Sequence, residues 1–505
     1  VFLAHDTSRL IFVTTTDSVN MKFSLPQTVL SSTEQDSLFA ALTEACDGDS
    51  TAVSIDPEDL EDASRDSSFH EPHSPCMVVK PSSVDQVSAV VRACAAARIP
   101  MVARGAGTGV EGGAIPYGGA VVISTARLRR LELLDQDMPL MAVVGAGIYK
   151  NELNKFLEPH GLLFGPDPSS NPSLGGMAST GGSGMSTLRF GTMKENVVSL
   201  VVVTPQGEVI HTRRAVRKSS SGYELTQLYL GSEGTLGIIC ELTVRLQKIQ
   251  PCRSGGVLVF PNVKSAVSAV VETLHVDPPS LLRCELLNAE GVRCTNATYK
   301  TDLSCNPTLF VELRGRCHSP LKQDFDVVAG IANKHGCTES RFAAQGSELD
   351  TLWEARRGCY LAAMKYRGKK GGDNVLVTDV CVPISKLAEC VSASEADCMQ
   401  SGFQCVICAH IADGNFHCLV PYQSEELSKV EALGDRIVER ALAFGGTVSG
   451  EHGVGIGKVK HSCREHGLAH IAVQQAVKKA LDPLGLMNLG KVIPVEPVDQ
   501  LACRL

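Results

Sequence analysis

An excess of positive charge is missing from this 505-residue chain: 47 Lys and Arg stand against 55 Asp and Glu, for a net charge of -8. That leaves no basic footprint for nucleic acid, so any anionic ligand must be held by local sites. No stretch approaches the roughly 18 uninterrupted apolar residues that a membrane span requires. A disulfide framework is missing too, because the nineteen cysteines are odd in number and scattered singly. They read as free thiols in a reducing compartment. Cys405 and Cys408 form a C-x-x-C, but in an apolar, strand-like run with no second pair at zinc-ribbon spacing, which makes them buried structural thiols.

What is present is an ordinary globular composition, 44% hydrophobic and 20% charged, in a chain long enough for two or more domains. Residues 1–20 precede the first methionine, Met21, and are set aside as a processed remnant, an expression scar or translated upstream sequence. Residues 33–70 are acidic and Ser-rich, with helical patches such as "DSLFAALTEA". From Met77, "MVVKPSSVDQVSAVVRACAAARIPMVARG" reads as strand, capped amphipathic helix and strand, a β-α-β unit.

Glycine then takes over, in "RGAGTGVEGGA" (104–114) and "PDPSSNPSLGGMASTGGSGMSTLRFG" (166–191). Small residues let backbone N–H groups approach an anion closely, and strands in "PMVARG" and "SLVVVTP" bracket these loops as they would not bracket a flexible linker. Two such loops imply a large phosphate-bearing ligand. Gly231, Gly234 and Gly237 punctuate a third, and mixed helices and strands follow Pro251.

In "CVICAHIADGNFHCLVP" (405–421), two apolar strands fold back through Ala412 to Asn415, so that His410 and His417 face each other across the turn. Two imidazoles on a rigid hairpin suit a divalent metal, or they are hydrogen-bonded surface residues. Glu451 and His452, in "SGEHGVGIGK", are the candidates to complete the site, with glycines on both sides to bring adjacent side chains to one centre. Two histidines and a carboxylate make a three-ligand site with open positions, and a neighbouring unmetallated histidine suits a general base. The plain alternative is a surface Gly-rich loop.

The three glycine loops in this order, followed by "HIADGNFH", "GEHGVGIGK" and "LMNLGKV", resemble the FAD-linked oxidases of the vanillyl-alcohol-oxidase-like fold. "LWEARRGCYLAAM", "TDVCVPISKL" and "ADGNFHCLV" resemble most its mitochondrial, cytochrome-type D-lactate dehydrogenase branch, and the likeness spans roughly residues 70 to 495. It implies an α+β fold: an N-terminal extension and helix (1–70), a two-part FAD-binding domain (71–250), an α/β substrate (cap) domain with the metal site and a C-terminal return to the flavin (251–495), and a tail (496–505).

The resemblance implies FAD cradled by Arg104, Gly105, Ala106, Gly107, Thr108 and Gly109. Pro166, Asp167, Ser173, Gly176, Thr180, Gly184, Glu233, Gly234, Gly237, Ile238 and Asn488 complete the groove. Relatives that tether the flavin covalently use a histidine in the first loop; "RGAGTGVEGG" has none, so FAD is expected to be non-covalent. The metal ligands fall on His410, His417 and Glu451, for zinc, manganese or iron, and the base falls on His452. By the same resemblance Arg356, in the matching Leu-Trp-x-x-Arg, would clamp the substrate carboxylate with its bidentate fork.

The implied reaction is oxidation of a small D-2-hydroxy acid, D-lactate to pyruvate, with hydride passing to the flavin. Related 2-hydroxyglutarate dehydrogenases carry a threonine, a lysine and an asparagine where this chain has Tyr360, Val377 and Leu419, so a second carboxylate has nothing to meet. Hydroxyglutarate or glycolate oxidation is the alternative within the family, and alkylglycerone-phosphate synthase, a flavin transferase without the metal hairpin, the alternative of another class. Ala412 and Leu489 replace a usual glycine and proline without removing a ligand. The electron acceptor is cytochrome c, a quinone or an electron-transfer flavoprotein, and a homodimer is compatible with the sequence. The expected compartment is the mitochondrion, although Cys503-Arg504-Leu505 resembles a loose peroxisomal address.

Overall fold

The computed structural model describes residues 28–134, 139–216, 218–344, 346–365 and 374–501; the C-terminal tripeptide and residues 1–20 lie outside them. The β-α-β reading holds for its elements. Strand Met77–Val79 leads to helix Val84–Ala97, whose N-cap Ser83 accepts a hydrogen bond from the Gln86 amide, and then to strand Met101–Arg104. The two strands are not neighbours. Val121–Ser124 lies between them, parallel to both, and Val53–Ser54 closes the far edge antiparallel.

A second sheet is built on the long strand Ile238–Lys248, flanked by Met141–Gly145 and Val197–Val203, with Leu131–Leu133 and Val209–His211 at its edges and Leu162–Phe164 on its distal end. One apolar core serves both sheets. The second glycine-rich segment, expected as loop, contains two short helices, Leu174–Thr180 and Thr187–Phe190.

Beyond residue 250 an eight-stranded antiparallel sheet forms in the order Glu339–Ala343, Cys252–Val259, Thr308–Gly315, Leu281–Leu287, Val406–His410, Asn415–Tyr422, Asn374–Val377, with Val380–Cys381 also on Asn415–Tyr422. Helices Val263–Val276, His318–Lys334, Ile384–Gln400 and Leu427–Ala443 pack on one face. Helices Ala289–Tyr299, Ser347–Arg357 and Cys359–Lys365 pack on the other. Strand side chains alternate between these two cores. Ile407 and Ala409 face the first, Val406 and Cys408 the second. The same alternation separates Cys405 from Cys408, so the C-x-x-C spans the sheet and its thiols serve different cores.

The chain then returns to its beginning. Met101 and Met487 form a parallel bridge, Met101 N donates to Leu486 O (2.8 Å), and Leu486 and Met487 sit in the first core.

Candidate active site

The hairpin differs from its expected register in one respect. Strand pairing sets His410 opposite Asn415 and Cys408 opposite His417, with residues 411–414 as the turn and Gly414 at φ +79°. The two histidines are therefore diagonal neighbours on one face, ring centroids 5.5 Å apart, rather than directly opposed. Both are buried. Their Nδ1 atoms face away from each other's partner: His410 Nδ1 meets Glu285 (2.9 Å to Oε1, 3.0 Å to Oε2), and His417 Nδ1 meets the carbonyl of Thr378 (3.0 Å).

That leaves both Nε2 atoms for Glu451. His410 Nε2 lies 3.1 Å and His417 Nε2 3.4 Å from Glu451 Oε1, while Ser183 Oγ donates to Oε2 (2.6 Å). The three ligand atoms lie within 4.8 Å of one another. Two imidazoles oriented through Nδ1 by a carboxylate and a backbone carbonyl, plus one carboxylate, are a donor set that fits a divalent ion. Burial works against the charged ring of His410, but Glu285 and Glu451 outweigh it and hold its pKa well above the usual value. Glu451 is also opposed by burial, yet His410 and His417 hold it well below the usual carboxylate range.

Adjacent side chains reach this centre because of Asp379. Its Oδ2 accepts the backbone N–H groups of both Glu451 (2.9 Å) and His452 (2.8 Å) as well as Ser449 Oγ (2.9 Å). Its Oδ1 accepts from Asn415 Nδ2 (2.9 Å), which ties the loop to the hairpin. The ring of His452 stacks on that of His417, centroids 4.9 Å apart at 13°. Its Nδ1 is buried without a hydrogen-bond partner among the described residues, 3.9 Å from Glu111 Oε1 and 3.8 Å from Asp379 Oδ2. Burial pushes His452 down to about 4, only partly offset by Asp379, so its ring is neutral at neutral pH. Burial likewise pushes Glu111 up to about 7 against the pull of Lys458, whose Nζ lies 2.9 Å from Glu111 Oε1.

Arg356 is buried beside this group. Its Nη2 donates to Glu285 Oε2, and among the described residues its Nε has no hydrogen-bond partner. An unsatisfied guanidinium N–H at a cavity wall fits an anionic ligand.

The cavity, about 580 Å³, joins these residues to the glycine loops. Arg104 to Gly109, Ser173, Gly176, Thr180, Glu233, Gly234 and Gly237 line one part of it; Arg356, Tyr360, Val377, His410, His417, Leu419, Glu451 and His452 line the other. The loops are in close contact, since a Cβ on Gly105 would lie 2.1 Å from Ser173 Oγ. This cradle of small residues fits the pyrophosphate of a dinucleotide.

Other residues expected at the cofactor stand behind the wall. Asp167 takes Lys150 (3.0 Å), Arg283 (2.6 Å) and Arg357 (2.6 Å), and Gly184 packs on its backbone. Pro166 is buried next to it, and Ile238 is buried at the start of its strand. Asn488 Nδ2 donates to Gly113 O (3.0 Å) and Glu233 O (2.6 Å), tying the first loop to the third. The Glu233 carboxylate accepts the N–H groups of Val454 (2.6 Å) and Gly455 (3.0 Å), joining the cradle to the Glu451 loop.

Sequence reasoning passed over Glu285, Asp379, Glu111, Lys458 and Ser183. Glu111 and Lys458 stand inside quoted motifs, and an acid amid the apolar strand "LLRCELL" is a signal of its own, because a charge on a buried strand requires a partner.

The FAD binding domain model matches residues 75–213, and the model of the FAD linked oxidases, C-terminal domain, matches residues 250–492. Over 447 residues the chain is 37% identical to "Probable D-lactate dehydrogenase, mitochondrial" of Danio rerio, covering 87% of this chain and 89% of that one. The chain belongs to the FAD-linked oxidase family. It is also similar to the mitochondrial "D-lactate dehydrogenase [cytochrome]" of Arabidopsis thaliana, 38% identical over 85% of this chain and 75% of the relative. "Glycolate oxidase subunit GlcD" of Escherichia coli K12 is 32% identical over 83% and 84%.

Among solved structures, p-cresol methylhydroxylase aligns with a TM-score of 0.73 at 16% identity, covering 92% of this chain and 97% of that one. An alkyldihydroxyacetonephosphate synthase aligns at 0.69 and 18%, covering 88% and 82%. These likenesses are of fold. The family fold is thus the vanillyl-alcohol-oxidase type, with mixed helices and sheets, and the family cofactor is FAD.

Proposed function

We propose that the protein oxidises D-lactate to pyruvate with non-covalent FAD and a divalent metal. The observation that carries this reading is the meeting of His410, His417, Glu451, His452 and Arg356 on one cavity continuous with the glycine loops. The guanidinium fork of Arg356, whose Nε has no partner among the described residues, receives the substrate carboxylate. The neutral ring of His452 takes the hydroxyl proton. When bound, FAD accepts the hydride equivalent from Cα, and a metal ion held by His410, His417 and Glu451 supplies Lewis acidity at the hydroxyl.

Tyr360, Val377 and Leu419 line the cavity beside Arg356 and carry no cation for a second carboxylate, while the neighbouring Arg357 is already paired with Asp167 (2.6 Å). That favours lactate over 2-hydroxyglutarate. Glycolate is the second reading, supported by the Escherichia coli relative. For the compartment we propose the mitochondrion, which the names of the Danio and Arabidopsis relatives state for those proteins, and for the acceptor a cytochrome, which the Arabidopsis name states for that protein.

The test is anaerobic addition of D-lactate, L-lactate, D-2-hydroxyglutarate and glycolate to the FAD-loaded, metal-loaded protein, following the oxidised flavin band. D-Lactate should bleach it fastest. Faster bleaching by hydroxyglutarate or glycolate overturns the substrate assignment.

A further inference from the structure

All described cysteines are free thiols, and two of them meet on the wall of the active-site cavity. Cys408 comes from the centre of the hairpin strand Val406–His410, opposite His417. Cys359 begins the helix Cys359–Lys365, three residues after Arg356. Both are buried from bulk solvent, their thiols interact side chain to side chain, and both line the cavity together with Arg356, Tyr360 and Leu419. Exposed Tyr360 and Leu361 on the same helix mark where the cavity reaches solvent.

We propose that Cys359 and Cys408 form a dithiol modification site, which captures trivalent arsenicals and like electrophiles able to bond two sulfurs at once. The two sulfurs are carried by a sheet strand and a packed helix, so neither has to be gathered from a flexible loop, and chelation begins from a preorganised pair. With a monosubstituted arsenic(III) oxide, two As–S bonds form and the As=O bond breaks. The two thiol protons leave with the oxygen as water, and arsenic keeps its oxidation state, so no redox partner is needed. The adduct stands beside Arg356 and Leu419. Insofar as the proposed function holds, it therefore blocks the place of the substrate.

Another thiol group, Cys398, Cys405 and Cys418, supplies the natural control. These three also interact, but they sit in the apolar core on the opposite face of the sheet.

The experiment treats the FAD-loaded full chain with phenylarsine oxide and reads the adduct by native mass spectrometry. One adduct per chain is expected, removed by 2,3-dimercaptopropanol and not by an equal thiol concentration of 2-mercaptoethanol. Cys359→Ser and Cys408→Ser should each weaken capture on the order of 10²-fold or more, because each loses the second, intramolecular bond. Cys405→Ser should capture as the wild type does. A wild type that takes up no adduct, or a Cys359→Ser or Cys408→Ser variant that takes it up at the wild-type reagent concentration, overturns the proposal. The flavin spectrum reports that each variant is folded, and if one of the two fails to load FAD the other decides. Adduct mass is independent of substrate identity. Failure of lactate to bleach the flavin would leave this result standing, whereas an adduct that leaves lactate bleaching unchanged would overturn the placement on the substrate path.

Discussion

Glu285 joins Arg356 to His410. One carboxylate receives the guanidinium that faces the cavity and the Nδ1 of the ring whose Nε2 faces Glu451. The proposed substrate clamp and the proposed metal site thereby share a single buried support. Glu285→Gln should weaken metal binding by about 10- to 100-fold, the usual effect of losing an orienting partner behind a ligand histidine. It should raise the apparent Kd for the hydroxy acid in the same variant. Metal titration and flavin-bleaching titration check the two effects. A change in one without the other would show that Glu285 serves only that half of the site.

Glu451 and His452 are adjacent in sequence but are expected to separate in function. Glu451→Gln should lose bound metal, because a neutral amide is a much weaker ligand than the carboxylate that both Nε2 atoms face. His452→Ala should keep the metal, reduce its flavin about 10²–10⁴-fold more slowly at neutral pH, and recover partly at high pH, where hydroxide takes the proton. Elemental analysis of both variants is decisive, since equal metal content contradicts the assigned roles. Full metal retention in His410→Ala would reduce the hairpin to a structural element.

The flavin should leave the protein on acid or denaturant treatment. No histidine stands in the first glycine loop to tether it. After acid precipitation the colour belongs in the supernatant, and a pellet that stays yellow rules this out.

Lys491 supplies a pH dependence of known sign. Its Nζ is buried against the carbonyl of Ile115 (2.7 Å) and Asn488 Oδ1 (2.7 Å), and burial pushes its pKa down to about 7, against the pull of Asp66 and Glu233. Between that value and the ordinary lysine value of 10.5, the unfolded chain binds a proton that the folded one does not. The Lys491 contribution to stability therefore rises with pH across this window, by at most about 1.4 kcal/mol per unit. Urea unfolding of wild type and Lys491→Met from pH 6 to 10 should show the steeper rise in the wild type. Parallel curves would place the residue in water.

Much of this site was legible because its residues occupy short motifs. "HIADGNFH" and "GEHGVGIGK" each carry two chemistry-bearing side chains, and the strand-helix-strand pattern from Met77 fixed those elements without a partner's help. What sequence reasoning passed over was of two kinds. Glu285 meets His410 across 125 positions and Arg356 across 71, so no local spacing announces it. Asp379 was inside a quoted motif, yet its task, gathering the amides of Glu451 and His452, appears only when the loop folds over it. The hairpin's register was equally hidden. Seven residues of separation place both histidines on one face only because four residues make the turn, and a turn one residue longer or shorter would have sent one ring into the opposite core.

Asn488, with its bonds to Gly113 and Glu233, has a consequence for biosynthesis. The loops it ties together leave the ribosome hundreds of residues before it does, and Met101 must likewise wait for Met487 to complete its edge. A nascent chain stopped before residue 480 carries every glycine of the cradle without the clasp that holds two of its loops together. The cradle of small residues is thus complete only once a segment more than 250 positions further along the chain has folded back onto it, a long-range closure of the kind that forms late.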